Sequence, residues 1–175
     1  MSSSDTDPSP PSDPPSDLAP DAKAPLALGG MSGQGGRAGW IGALGLELTI
    51  ATKDEVLAVW SIDERHLQPQ GIVHGGVYAS VVETCCSIGA GLAAPPGKVV
   101  VGVENHTSFL RPVSDGRLSA RAKPLHAGRR AQLWECNIVD AAARLVATGR
   151  LRVMCVDAEN HPNADRPTAG TKSRG

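Results

Sequence analysis

Apolar and polar positions divide the chain into two strands, one long helix and four further strands. Period-two alternation over residues 46–50 and an apolar run over residues 56–62 predict an opening hairpin. Apolar residues recur every three or four positions over residues 75–94, which predicts a helix that ends before Pro95. The four later strands are predicted to begin near Lys98, Arg117, Trp134 and Leu145. The order β-β-α-β-β-β-β predicts an α+β fold, with an antiparallel sheet around one central helix.

The predicted helix carries a single charged residue. Between His74 and Lys98, Glu83 is the sole Asp, Glu, Lys or Arg, and most other positions are small or apolar. A helix that is apolar nearly all round is typical of a buried helix, so we expect the sheet to wrap it. A charge in such surroundings costs free energy unless it is paired, hydrogen-bonded or used. Glu83 is therefore a candidate functional residue.

The start of the helix and its polar stripe carry the candidate chemistry. Helical spacing places Ser80, Glu83 and Ser87 on one stripe, after the run His74-Gly75-Gly76. The first N–H groups of a helix lack intrahelical acceptors and carry a partial positive charge, so they can hold a developing oxyanion. Glycines allow a ligand to approach that backbone closely.

A structural role is the alternative for each of these residues. A lone histidine before a helix is often a cap, and a lone core glutamate can simply accept hydrogen bonds. Combined with the glycines and with Gln68, the catalytic interpretation of His74 and Glu83 is favoured. Glu83 lies nine residues after His74, a rise of about 13 Å along one helix, so one small reacting group cannot touch both. We therefore predict a homodimer in which two antiparallel helices share the sites.

The two ends of the chain differ from the middle in composition. Residues 1–36 hold seven of the 14 prolines and almost no periodic apolar pattern, so we predict a disordered Pro/Ser-rich tail. Residues 157–175 are predicted to form a second flexible tail. Residues 37–156 remain as one domain of ordinary size.

Charge and cysteine content narrow the function classes. The net charge of −1 argues against nucleic acid as a partner. Every apolar run that approaches the length of a membrane span is interrupted by small or polar residues, so no membrane association is expected. Four cysteines without a Cys-x-x-Cys pair predict free thiols in the cytoplasm and no metal site. Asn105-His106-Thr107 matches a glycosylation triplet, which we interpret as chance within a predicted strand.

The run QPQGIVHGGVYASVVETCCS, residues 68–87, resembles the hotdog-fold acyl-CoA thioesterases of the phenylacetate-pathway group. It is most similar to their glutamate-type branch, which includes the Arthrobacter-type 4-hydroxybenzoyl-CoA and 1,4-dihydroxy-2-naphthoyl-CoA thioesterases. The resemblance continues through VVVGVENHTSFLRPV and KPLHAGRRAQLW and covers about residues 41–156. It implies a sheet wrapped around the long helix, dimers that share two sites, and usually tetramers. It also implies hydrolysis of an aryl- or medium-chain acyl-CoA.

The resemblance also implies roles for individual residues. Glu83 would be the nucleophile or general base, and the Gly75 N–H would polarise the thioester carbonyl. Gln68 and His74 would position the thioester or water from the opposite subunit, and Ser87 would orient water or substrate. The positions that match coenzyme A contacts are Gly102, Phe109, Leu110, Arg111, Pro112, His126, Gly128, Arg129, Arg130 and Ala131. Coenzyme A is part of the substrate, so no separate cofactor is expected.

Several alternatives stay open at this point. Attack by Glu83 would give a transient anhydride, whereas activation of water by Glu83 would give direct hydrolysis. Arg111, Arg129 and Arg130 could bind the phosphates of coenzyme A, or they could be ordinary surface charges. The chain could also be a non-catalytic acyl-CoA-binding protein, because a fold does not imply a function. A hotdog hydratase or dehydratase is a further alternative. Those enzymes rely on an Asp and His pair in a differently spaced motif, which we do not find in this sequence.

Overall fold

The structure, a computed structural model, describes residues 39–160. Residues 1–36 and most of the predicted C-terminal tail lie outside the described residues. The elements are helix α1 (Gly39–Ala43), strands β1 (Glu47–Ala51) and β2 (Val56–Ser61), helix α2 (Gly75–Ala93), and strands β3 (Lys98–Phe109), β4 (Arg117–Ala127), β5 (Ala131–Val139) and β6 (Leu145–Asp157). Single 3₁₀ turns cover Glu64–His66 and Ala158–Asn160.

The six strands form one antiparallel sheet in the order β1-β2-β4-β5-β6-β3, with α2 packed on it. The predicted α+β architecture is confirmed, as are the opening hairpin and the positions of α2 and the four later strands. The core lies between α2 and the inner face of the sheet. Its largest fully buried side chains include those of Trp60, Trp134, Leu118, Ile138 and Leu151. Hydrophobic burial between helix and sheet is therefore the main stabilising term.

One face of α2 is buried and the other is not, which corrects the expectation of a helix covered nearly all round. Val77, Val81 and Cys85 are buried, whereas Glu83 and Ser87 are half-buried. By length and composition α2 could span a membrane, and half of that window is buried. Those properties are equally typical of a helix that packs across a sheet, which α2 does.

Strand β3 forms one edge of the sheet and carries an irregularity next to α2. None of its 12 residues is buried. It pairs with β6 so that Gly102 lies opposite Val153 and Glu104 lies opposite Arg152, which leaves Val103 as the extra residue of a β-bulge. The sequence pattern predicted the strand but not the bulge.

The loop between β2 and α2 is held by a buried histidine that the sequence did not single out. His66 is 1% exposed; its Nδ1 accepts from the Asp63 N–H, and its Nε2 lies 3.1 Å from the Leu44 carbonyl oxygen. The His66 carbonyl in turn accepts from the His74 N–H at 2.8 Å. The loop that carries Gln68 is thereby tied to the start of α2.

Two differences from the sequence expectation concern the ends of the domain. Helix α1 was not predicted, because a single turn of five residues is too short for an apolar period to show. Strand β6 extends to Asp157, which pairs with Lys98 at 2.7 Å, and a 3₁₀ turn follows. The folded segment thus reaches four residues into the predicted C-terminal tail.

Candidate active site

Glu83 lies in an open depression of about 490 Å³ between α2, β3 and α1. The depression is lined by Trp40, Ala79, Ser80, Glu83, Thr84, Asn105, Thr107 and Phe109. The volume is within the range of small-molecule sites in proteins. Ser80 and Glu83 share this wall, as the helical stripe predicted. Ser87, one turn further along α2, does not line this depression.

The Glu83 carboxylate is held by an asparagine that sequence reasoning missed. Asn105 Nδ2 donates to Glu83 Oε2 at 3.0 Å and to the Ala79 carbonyl at 3.0 Å, and Thr107 Oγ1 donates to Asn105 Oδ1 at 2.7 Å. The sequence shows Asn105 and Thr107 two residues apart in a strand, hence on one face. That signal was present in the triplet interpreted above as a chance match.

Gly102 touches the same carboxylate. A Cβ atom at Gly102 would lie 2.5 Å from Glu83 Oε1, so the absent side chain leaves room for the carboxylate. The resemblance implied a coenzyme A contact at this position. In this chain, the neighbour of Gly102 is the candidate catalytic group itself.

A second depression, of about 480 Å³, surrounds the start of α2. It is lined by Gln68, Ile72, Val73, His74, Gly75, Gly76, Tyr78, Phe109, Leu110, Arg111 and Pro112. Three candidate catalytic residues therefore meet four of the candidate coenzyme A contacts here. Gly71, at φ +76°, makes the turn that returns the chain from Gln68 towards α2.

His74 is the N-cap of α2. This placement is compatible with a capping role and also with the positioning role that the resemblance implies. Its Nδ1 accepts from the Gly76 N–H at 2.9 Å, and its carbonyl accepts from the Val77 N–H. With Nδ1 as an acceptor, the neutral ring carries its proton on Nε2, which can donate to a ligand. The N–H groups of Gly76 and Val77 already donate to His74. The Gly75 N–H is therefore the donor at the helix start that a ligand carbonyl oxygen would meet.

Phe109 borders both depressions. Its ring covers Gly75, where a Cβ atom would lie 2.5 Å from Phe109 Cε2, and it packs at 6.0 Å between centroids against Tyr78. Burial raises the pKa of Tyr78 to about 12, so its hydroxyl stays protonated at physiological pH.

Glu83 and the group of Gln68, His74 and Gly75 line different depressions of one chain. The spacing along α2 anticipated this separation. The candidate site is therefore present as two half-sites: the carboxylate half-site around Glu83, and the helix-start half-site around Gln68, His74 and Gly75.

The candidate phosphate ligands are separated as well. The Arg111 N–H donates to the Val146 carbonyl, while the Arg130 carbonyl accepts from the Cys155 N–H. These contacts lie nine residues apart on β6, or about 30 Å. Within one chain, the hairpin that carries His126, Gly128, Arg129, Arg130 and Ala131 therefore does not join Arg111 in one phosphate site.

Comparison with known proteins identifies the family. The sequence model of the thioesterase superfamily matches residues 70–147. A candidate esterase of Mycobacterium tuberculosis is 40% identical over 118 residues, which are 66% of this chain and 84% of that protein. A proofreading thioesterase of Cronobacter turicensis is 40% identical over 108 residues, 62% of this chain and 79% of that protein.

Solved structures agree with the sequence relatives. The structure of the M. tuberculosis esterase candidate has a TM-score of 0.65 at 38% identity, covering 66% of this chain and 94% of that one. A thioesterase of Haemophilus influenzae has a TM-score of 0.65 at 34% identity, with 70% and 85% covered. The chain belongs to the thioesterase superfamily, has its hotdog fold, and is a thioester hydrolase.

Proposed function

We propose that the chain hydrolyses an aryl-acyl-CoA thioester, with Glu83 as nucleophile or general base, as in the glutamate-type branch. One observation carries this proposal. The Glu83 carboxylate, the one charge of helix α2, lines a depression, and Asn105 orients one of its oxygens. A carboxylate needed only for stability would instead be expected to lie against a cation or to be enclosed.

The two half-sites would have complementary tasks. The Gly75 N–H, at the positive end of the α2 dipole, would stabilise the negative charge that develops on the thioester oxygen. His74 Nε2 and the Gln68 amide, which line the same depression, would orient the thioester or a water. Arg111 adds a positive charge for a coenzyme A phosphate.

Two balanced routes fit these groups. In one, Glu83 attacks the carbonyl carbon, the C–S bond breaks, and coenzyme A leaves as the thiolate; water then splits the acyl–Glu83 anhydride. In the other, Glu83 takes a proton from water while the water oxygen attacks the same carbon. That proton then passes to the departing thiolate. Both routes yield a free acid and coenzyme A.

The aromatic residues support an aryl acyl group. The chain has five aromatic residues, and Trp60, Trp134 and Tyr78 are buried in the core. The other two, Trp40 and Phe109, are 62% and 56% exposed, and both line the depression of Glu83. Exposed aromatic rings on one pocket wall offer stacking surfaces for a planar acyl group. Medium-chain acyl groups are the competing class.

A homodimer would unite the half-sites. Within one chain, Glu83 and Gly75 line two different depressions, and the exposed edge strand β3 carries both Gly102 and Asn105. An unpaired edge strand is a template for pairing with another chain. A second copy placed along β3 would bring the helix-start half-site of one subunit to the carboxylate half-site of the other. Such dimers would assemble further into a homotetramer in the cytoplasm, where the four cysteines would remain free thiols.

A hydrolysis panel tests the function. Purified protein is given benzoyl-CoA, 4-hydroxybenzoyl-CoA, hexanoyl-CoA and acetyl-CoA, and the released thiol is measured. We expect the highest kcat/KM with an aryl substrate and a loss of about a hundredfold in Glu83→Gln. Glu104→Gln is the matched control, because Glu104 is a β3 carboxylate paired with Arg152 instead. Full activity in folded Glu83→Gln would refute the role of Glu83, and a preference for hexanoyl-CoA would refute the aryl class.

A further inference from the structure

The bulge in β3 changes which residues face α2. Side chains alternate along a strand, so residues 102 and 105 would point to opposite faces of a regular strand. The extra residue Val103 shifts that alternation by one. Gly102 and Asn105 consequently lie opposite Val153 and Leu151, both of which are fully buried on the helix side.

Beyond the bulge the regular alternation keeps Thr107 on the same face. Thr107 pairs with Gly149, where a Cβ atom would lie 2.7 Å from Thr107 Oγ1 and 2.9 Å from Val82 Cγ1. The missing side chain at residue 149 thus lets the threonine fit between β6 and α2. From there its hydroxyl donates to Asn105 Oδ1.

The amide orientation of Asn105 follows from its neighbours. Its nitrogen faces two acceptors, the Ala79 carbonyl and Glu83 Oε2, and its oxygen faces the Thr107 hydroxyl. The flipped amide would place an oxygen against two oxygens and lose both donated bonds. The chain Thr107–Asn105–Glu83 therefore has one consistent direction of donation and fixes one carboxylate oxygen.

We propose that Asn105 and Thr107, brought onto the helix side by the bulge at Val103, are the positioning residues of Glu83 and select Oε1 as its reactive oxygen. This inference rests on the proposed function. Oε2 is occupied by the Asn105 amide, whereas Oε1 lies over the bare Cα of Gly102. Oε1 is therefore the oxygen left for a water or a thioester carbon. Holding the carboxylate in one rotamer matters because attack requires correctly aligned atoms about 3 Å apart.

Matched substitutions separate positioning from a merely structural role. Asn105→Leu keeps the approximate shape of the side chain and removes the donor. Thr107→Val replaces the hydroxyl with a methyl group, whereas Thr107→Ser retains the hydroxyl. We expect Asn105→Leu to lower kcat by about tenfold to a hundredfold with little change in KM. Thr107→Val should lower kcat by a few fold, and Thr107→Ser should return most of that loss.

The decisive measurement repeats Asn105→Leu in a Glu83→Gln background. If Asn105 acts only through the Glu83 carboxylate, its replacement has little further effect once that carboxylate is absent. The residual rate of Glu83→Gln should therefore fall by less than about twofold. Multiplicative losses, a change in KM alone, or equal defects in Thr107→Val and Thr107→Ser would overturn the inference. If Asn105→Leu does not fold, the Thr107 pair tested in both backgrounds decides.

Failure of the proposed function looks different. In that case Glu83→Gln by itself retains full turnover, whatever the Asn105 and Thr107 variants do. An inactive Glu83→Gln protein together with a fully active Asn105→Leu protein refutes only the positioning inference.

Discussion

At the scale of single residues, the site depends on contacts that no motif displays. The sequence indicated Glu83, because an isolated charge stands out in an apolar helix. It did not indicate Asn105, because a polar residue on an edge strand is ordinary and its partner is 22 residues away. The family resemblance implied a coenzyme A contact at Gly102, and the structure adds a contact of Gly102 with Glu83 Oε1 that the sequence did not indicate. Contacts across elements need the register, which a single sequence leaves undetermined.

The substitution Gly102→Ala tests that contact. The new Cβ atom would lie 2.5 Å from Glu83 Oε1, at the far end of a side chain and not in the backbone, so the carboxylate would shift while the fold remains. We expect kcat to fall on the order of a hundredfold, since small displacements of reacting groups have such effects. Gly91→Ala is the matched control, because the nearest atom to its new Cβ atom outside helix α2 is Val100 Cγ2 at 3.8 Å. A rise in KM with kcat unchanged would instead support coenzyme A contact at Gly102.

Trp40 offers a second test at this scale. If its ring stacks on an aryl acyl group, Trp40→Leu should lower kcat/KM for benzoyl-CoA by about tenfold, the value of roughly 1.4 kcal/mol. The same variant should change hexanoyl-CoA hydrolysis much less, because a flexible chain needs no flat surface. Equal losses with both substrates would contradict a stacking role.

At the scale of elements, periodicity was sufficient for the fold but not for its irregularities. Apolar spacing located α2 to within one residue at its C-terminus, since Pro95 and Pro96 end it sharply. It missed α1, which is too short for a period, and the bulge at Val103, which adds one residue inside β3 without ending the strand. The half-covered state of α2 was also missed, because its outer stripe is lined by small residues that composition alone counts as core.

Two glycines of α2 should respond in opposite directions to alanine. A Cβ atom at Gly89 would overlap the Trp134 ring, whereas at Gly91 the nearest atom outside the helix is Val100 Cγ2 at 3.8 Å. Overpacking against the buried Trp134 should cost about 1–3 kcal/mol in Gly89→Ala. Gly91→Ala should gain about 0.5–1 kcal/mol from helix propensity. Urea denaturation measures both; equal shifts would contradict the packing of α2 on β5.

At the scale of the whole molecule, the thiols report on the core. All four cysteines are buried, and hydrogen bonding to Cys136 together with burial raises the pKa of Cys85. A thiol held protonated and out of solvent reacts slowly, because the thiolate is the nucleophile. We expect native protein at pH 8 to be nearly inert to a disulfide reagent such as DTNB, and four thiols to react after denaturation. Rapid reaction of the native protein would contradict this core.

The central claim, that each site is shared between two chains, also belongs to the whole molecule. The distance along α2 predicts it from the sequence, and Glu83 and His74 line separate depressions in the structure. The prediction does not depend on which acyl group is hydrolysed. It requires only that one subunit supplies the carboxylate and the other supplies Gln68, His74 and Gly75.

Complementation between two inactive variants tests this most directly. Glu83→Gln protein is mixed with protein that carries both Gln68→Ala and His74→Ala, under conditions that allow subunit exchange. About half of the dimers become mixed, and each has one intact site, so roughly a quarter of wild-type activity should return. Mass spectrometry verifies that mixed dimers form. Mixed dimers without activity would contradict a site built from two chains.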